Sequence, residues 1–393
     1  MRVLMSAYTC SPNRGSETGA GWAFLRAAAR SHDVVLLTSP CEADALSAAL
    51  REDGLRPVRV VWINGPLERF RGGLGLGHLD YLVWQYRAWK FARAHEHEVD
   101  VAHHVTYGMD WSPSALHFLR HVPVVWGPVG GTAPAPWRLW RYLSPRGIAR
   151  EVTREVATRS NRVVTRALVR RSRPLVVATN REVAEFWRRA GVPVVVEAQA
   201  AVPPLALTPP ARLRSDGKKK AVFVARLAAW KGPYLALQAL AALPDEWTLD
   251  MYGGGPEEPA IRRRAERLGI TRRVQVLGNR PRDEVQQALV DADVLLFPSM
   301  HDASGFAVAE AMRVGCPVVC LDVGGPAMLI EGTQGIAVEP DGDAPRNLAR
   351  AMGTVRRGQP SDRWSTERLA GRVTEWYDAV VRDFPAVDRG TVG

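Results

Sequence analysis

Short runs of almost wholly apolar residues alternate with helix-forming stretches along this chain, and that alternation constrains its fold more than any other feature. Residues 3–7, 34–38, 58–62, 99–103, 122–126 and 174–178 are such runs, rich in Val and Leu, with helical patterns between several of them. A strand that is apolar along its whole length has no face for water. It belongs in a parallel sheet covered by helices on both sides. Residues 198–220 interrupt the series with Pro203, Pro204, Pro209 and Pro210 and end in Lys218, Lys219 and Lys220, which reads as a linker. The series then restarts, with strands expected at 221–225, 247–252, 273–277, 293–297 and 317–321 and helices at 234–243, 257–268, 282–291 and 306–314. The chain's 393 residues exceed the roughly 250–300 at which single cores stop growing. The expected fold is therefore α/β, with two doubly wound Rossmann-like domains, residues 1–200 and 201–365, facing a central cleft. A tail helix at 366–384, within the last segment 366–393, places Leu369, Val373, Trp376 and Val380 on one face and is expected to return to the first domain.

Composition narrows the class. Hydrophobic residues make up 46% and charged residues 24%, as in a soluble globular protein. No apolar run approaches about 18 residues, and the start is too soon polar for a signal peptide. The four cysteines match no zinc spacing and suit a reduced, cytoplasmic setting. The formal charge is +11. It is densest in the segment 138–173, where Arg150, Arg154, Arg162, Arg166 and Arg170 recur at helical spacing among Val152, Val156 and Val163. That segment reads either as a solvated helix face or as a peripheral contact with an anionic membrane at the inner face. No nucleic-acid motif accompanies the charge.

Three loops carry candidate chemistry. The first, from Pro12 to Trp22, follows strand one, contains Gly15 and Ser16, and opens a helix whose pattern runs from Trp22 to Ala29, so that free backbone amides there suit an anion. A tightly packed glycine turn is the alternative reading of the same loop. The second runs Arg226-Leu227-Ala228-Ala229-Trp230-Lys231, after the first strand of the second half. Two cations at a strand's carboxyl end can clamp a diphosphate, Arg as a fork and Lys as a point charge. A lysine in that position is expected to add little to folding stability. The third loop contains Asp302, Ser304, Gly305, Phe306 and Ala307, and Glu310 follows one helical turn later. Asp291/Asp293 and Asp341/Asp343 are the nearest approaches to a metal-binding carboxylate pair. Both read as fold and turn residues.

The second half resembles the retaining glycosyltransferases of family 4, which have the GT-B fold. Arg226 and Lys231 fall on that family's R-x4-K clamp, and Asp302 and Glu310 on its E-x7-E motif, with aspartate in the first place. Tyr252 to Pro256 match its G-x-G-P turn, and Gly315 to Val319 its G-x-P-V-V strand entry. Ser11 to Glu17 and Trp126 to Gly131 resemble a subset of the same family. The resemblance implies that Glu310 binds the donor ribose and Asp302 the transferred sugar. It also implies that Gly253, Leu277 and Gly278 lie by the nucleotide, that Gly15 lines the diphosphate, and that His103 or His104 stands near the reacting centre. A histidine at a strand end is also commonly structural.

The implied activity is transfer of a hexose-type sugar, with retention, from a nucleotide diphosphate sugar to a hydroxyl acceptor. The second domain would hold the donor and the first the acceptor, with no cofactor and no metal. Trp84, Trp89, Trp111, Trp137 and Trp140 could face an acceptor or pack in the core. A sugar phosphorylase or epimerase of related fold, or a non-catalytic nucleotide-sugar-binding protein, are the alternatives. Neither half carries the GxGxxG of a dinucleotide oxidoreductase.

Overall fold

The computed structural model describes residues 1–12, 15–52, 55–65, 77–131, 134–203 and 217–384. Asn13 and Arg14 of the first loop, residues 204–216 of the expected linker, and 385–393 of the last segment lie outside the described residues. The chain forms two compact units. Unit 1 comprises 1–131, 159–201 and 365–393, and unit 2 comprises 132–158 and 202–364.

Unit 1 is built on seven strands: β1 (Arg2–Ser6), β2 (Asp33–Thr38), β3 (Val58–Trp62), β4 (Val101–His104), β5 (Val124–Val129), β6 (Leu175–Ala178) and β7 (Val194–Val196). They pair in parallel in the order β3-β2-β1-β4-β5-β6-β7. Its helices are α1 (Ser16–Ala29), α2 (Ala43–Glu52), α3 (Gly77–Ala94), the later part of α4 (Pro145–Ser172), and α5 (Arg181–Arg189). Strands β1, β2, β4, β5 and β6 each send alternate side chains to opposite faces. One face buries Val3, Met5, Val101, Val125 and Val177 with Phe24 and Ala28 of α1. The other buries Leu4, Leu37 and Ala102 with Tyr81 and Trp84 of α3. Trp84 is thus a core residue, stacked on Tyr81.

Unit 2 contains six parallel strands in the order β10-β9-β8-β11-β12-β13. They are β8 (Lys219–Val224), β9 (Trp247–Tyr252), β10 (Val274–Gly278), β11 (Val294–Phe297), β12 (Val318–Leu321) and β13 (Ile336–Val338). Helices α6 (Pro233–Ala241), α7 (Glu258–Arg267), α8 (Arg282–Asp291), α9 (Phe306–Arg313), α10 (Gly324–Ile330) and α11 (Ala344–Thr354) connect or follow them. Residues 132–158 belong here because Ala135, Leu139, Tyr142 and Leu143 share one core with Phe223, Leu237 and Met251.

The chain's last helix, α12 (Thr366–Asp383), belongs to unit 1. Ser365 caps it by accepting the Arg368 amide at 3.2 Å. Its apolar face, Leu369, Val373, Trp376 and Tyr377, packs with Phe24 of α1. Arg368 pairs with the buried Glu197 through two bonds, at 2.8 and 2.9 Å. On α4, Val152, Val156, Val163 and Val164 are exposed among arginines. No helix among the described residues is long and apolar enough to cross a membrane. Cys10, Cys316 and Cys320 are buried, and Cys41 is exposed.

Candidate active site

In each sheet the strand order reverses at one place, between β1 and β4 in unit 1 and between β8 and β11 in unit 2. Loops that leave neighbouring strands at such a point run apart, and the crevice between them is where open α/β sheets bind ligands. In unit 2 the loop after β8 carries Arg226 and Lys231, and the loop after β11 carries Asp302. Two of the sequence-derived motifs therefore meet at the switch point.

The β8 loop closes with a 3-10 turn, Ala229–Lys231, and Gly232. Gly232 has a φ of 72°, and a Cβ there would lie 2.0 Å from the Pro298 carbonyl oxygen, so only glycine lets this loop reach the end of β11. Lys231 is thereby set beside Asp302, and its ammonium donates to Asp302 Oδ2. Asp302 Oδ1 accepts the amides of Ser304 and Gly305, each at 3.3 Å. Burial works to raise the Asp302 pKa. Lys231 and the two amides outweigh it, and the carboxyl titrates below its ordinary value. Lys231 keeps two further N–H donors beyond this bond. Arg226 is exposed, and no ion pair ties it down among the described residues.

Helix α9 begins after Gly305, so the amides of Phe306 and Ala307 have no carbonyl behind them in the helix. Glu310 lies one turn in, where Arg282 donates to its Oε1 from Nε (3.1 Å) and Nη2 (2.8 Å). Here burial wins over the arginine, and the Glu310 pKa is raised. Across β9 and β10, the Gly253 amide donates to the Gly278 carbonyl at 2.8 Å, and Leu277 stands next to this bond. Asp293 instead accepts the Lys220 amide at 2.7 Å, and Asp341 the Asp343 amide at 2.9 Å, so each serves its local fold.

Sequence reasoning did not single out the group that flanks Lys231 and Asp302. The Trp230 ring stacks on His301 with centroids 6.0 Å apart and planes 10° apart, and the Arg150 guanidinium lies 4.4 Å over the same tryptophan. His301 Nε2 is 3.0 Å from Glu151 Oε1, while Arg154 grips Glu151 Oε2 at 3.1 and 3.0 Å. Burial raises the Glu151 pKa, but His301 and Arg154 bring it below the ordinary value. The Met300 amide also donates to the Trp230 carbonyl at 2.8 Å. The two site loops are thus fastened to each other and to the first turns of α4. Arg282, Glu151 and His301 are distant from their partners in sequence, which left no local signal. Adjacency to Lys231 and Asp302 was the one clue for Trp230 and His301.

Unit 1 holds the remaining candidates. Gly15 stands exposed at the start of α1 with open space on its side-chain side, and Ser16 is the helix's first residue. His103 and His104 are buried on β4, and their ring nitrogens face internal partners. His103 Nε2 lies 2.8 Å from the Gly127 carbonyl, which can only accept, so Nε2 carries the proton and Nδ1 accepts from the Tyr377 hydroxyl at 2.7 Å. His104 lies between Ser6 Oγ and Tyr81 OH, both at 3.2 Å. Burial lowers the pKa of His103 to about 4 and of His104 to about 3, so both rings are neutral at pH 7. In this arrangement neither histidine has a nitrogen to spare for a substrate. Tyr377→Phe is expected to orphan His103 Nδ1 and to cost about 1–3 kcal/mol of stability. Thermal denaturation should show a lower midpoint, while nucleotide affinity stays at the parent value.

Residues 208–363 match the family Glycosyl transferases group 1. Among curated proteins, the chain is similar to D-inositol 3-phosphate glycosyltransferase of Corynebacterium glutamicum, 35% identical over 147 residues, which is 35% of each chain. It is also similar to 2-deoxystreptamine glucosyltransferase of Streptomyces kanamyceticus, 36% identical over 116 residues, covering 29% of this chain and 30% of that one. These matches span about a third of the length of the curated relatives. Among solved structures, Anabaena HepE in complex with UDP and glucose superposes with a TM-score of 0.58 at 18% identity, covering 96% of this chain and 100% of the other. That likeness concerns the fold, two parallel-sheet α/β domains of the GT-B kind.

Proposed function

We propose that this protein is a retaining, metal-independent glycosyltransferase that binds a nucleoside diphosphate sugar in unit 2 and passes the sugar to a hydroxyl acceptor. The observation that carries this reading is the contact, at the switch point of unit 2, of Lys231 from the β8 loop, which also carries Arg226, with Asp302 from the β11 loop, eight residues before Glu310 on α9. Arg226, Lys231 and the amides of Phe306 and Ala307 provide fixed positive potential for a leaving diphosphate, whose charge grows as the glycosidic bond breaks. Asp302, ionised and held by Lys231, accepts hydrogen bonds from the hydroxyls of the transferred sugar. Glu310 has one oxygen engaged by Arg282 and a second for the ribose hydroxyls. The leaving phosphate oxygen can take the acceptor's proton, so no side-chain base is required. This reading assigns no proton transfer to His103 or His104.

The two curated relatives carry names with different acceptors, so they do not choose one for this chain. Unit 1 is assigned to the acceptor. The metal-independence is tested by assaying transfer in EDTA. The expected initial rate is that of the untreated enzyme. Loss of turnover that returns with manganese would replace the cationic clamp by a metal-bridged diphosphate.

A further inference from the structure

The structure assigns a second, unrelated binding site to unit 1: a divalent transition-ion site of the zinc type made by Glu96, His97 and His121. Glu96 and His97 lie on the 3-10 turn Glu96–Glu98 that follows α3, and His121 lies in the loop leading to β5. Glu96 is buried and 4% exposed, yet its carboxylate is not spent. Oε2 accepts the amides of Arg120 (3.0 Å) and His121 (3.4 Å), which fixes the plane of the group. Oε1 faces His121, with Nε2 4.0 Å away. The rings of His97 and His121 lie 4.7 Å apart at 33°. One donor atom from each of the three residues falls within 4.8 Å of the others.

A tetrahedral zinc ion with bonds of about 2.0–2.1 Å needs its donors about 3.4 Å apart. The set must therefore contract by up to about 1.4 Å, from separations within 4.8 Å, and His97 and His121, which stand at the surface, can do so by side-chain rotation. The rigid member is already oriented by backbone amides, the arrangement by which outer partners position a metal's carboxylate. Two imidazoles and one carboxylate favour zinc, nickel or copper over magnesium or calcium, which take oxygen donors. A fourth position toward solvent would hold water. The ion would staple the end of α3 to the loop before β5 and would stabilise unit 1 by mass action. It takes no part in the transfer proposed for unit 2.

The test uses the full-length chain without a histidine tag, in a Cys41→Ser background that removes the one exposed thiol. Zinc chloride is titrated by calorimetry and thermal unfolding, with magnesium chloride as control, and cobalt is added for its visible spectrum. One zinc per chain, a raised melting point and a cobalt spectrum of low-coordinate type are expected. His97→Ala and His121→Ala should each weaken zinc by at least about 10–100-fold, the loss that even outer partners of a metal cause. Magnesium should do nothing. Zinc bound equally by the His97→Ala/His121→Ala double variant would overturn the site, as would no binding by the parent. Nucleotide binding measured alongside separates this outcome from that for the donor site.

Discussion

Lys231→Ala is expected to lower the transfer kcat by about a hundred- to a thousandfold, the scale seen when one fixed donor to developing negative charge is removed. Donor affinity should fall as well, because a hydrogen bond to a charged group is worth about 1.5–3 kcal/mol. The larger effect belongs on kcat, since charge on the diphosphate increases toward the transition state. The structure adds a second consequence, which corrects the expectation that this lysine matters little to folding. Lys231 is the partner of the largely buried Asp302. Its loss leaves that carboxylate with the Ser304 and Gly305 amides alone and should cost about 1–3 kcal/mol of stability. The sign with pH follows from the depressed Asp302 pKa. In the parent protein this stability is present above the unfolded aspartate value and is lost as pH falls through the lower folded value. In Lys231→Ala the depression disappears, and the stability difference from the parent should shrink on acidification. The double variant Lys231→Ala/Asp302→Asn removes the stranded charge, so stability should return while turnover does not. Parent-level kcat in a folded Lys231→Ala protein would remove the clamp from the mechanism.

What was legible in the sequence was whatever depends on near neighbours. The strands of both sheets, except the three-residue edge strands β7 and β13, read as apolar runs because a parallel sheet buries both faces. The order Arg226…Lys231 was readable because a single strand-to-helix loop fixes both residues. Helix α1 was read from residue 22, yet it starts at Ser16. Gly19 and Gly21 lower helix propensity, and tertiary contact overrides that, since a Cβ on Gly21 would stand 2.3 Å from the Thr9 carbonyl oxygen. Residues 132–158 read as part of the first half by position alone. Leu139 and Leu143 take them into the core of unit 2, a choice that no local pattern announces. His103 and His104 drew attention through the family resemblance, whereas the Tyr377 hydroxyl that holds His103 Nδ1 lies 274 residues away and left no local signal. Arg282 and Glu310 are likewise joined across 28 residues, and Glu151 and His301 across 150.

Glu310→Ala is expected to separate donor binding from turnover. The ribose hydroxyls keep their charge throughout the reaction, so an acceptor for them holds ground state and transition state alike. Donor KM should rise by roughly 10–100-fold, the equivalent of about 1.5–3 kcal/mol, while kcat stays near the parent value. Folding should suffer little. The Glu310 pKa is raised by burial, which exceeds the pull of Arg282, so folding works against the ionised form. A raised folded pKa gives a contribution that is full below the unfolded value and lost as pH rises through the folded value. At neutral pH, therefore, removing this carboxylate relieves a cost, and Arg282, whose side chain is 37% exposed, returns to water. Glu310→Gln keeps the shape and one acceptor, and should fall between alanine and the parent in KM. The same titration predicts that donor KM in the parent rises on the acid side from a pH above the ordinary glutamate range, and that this limb is absent in Glu310→Gln. Equal losses in kcat and kcat/KM for Glu310→Ala would place its contact at the reacting sugar instead, where Asp302 is assigned.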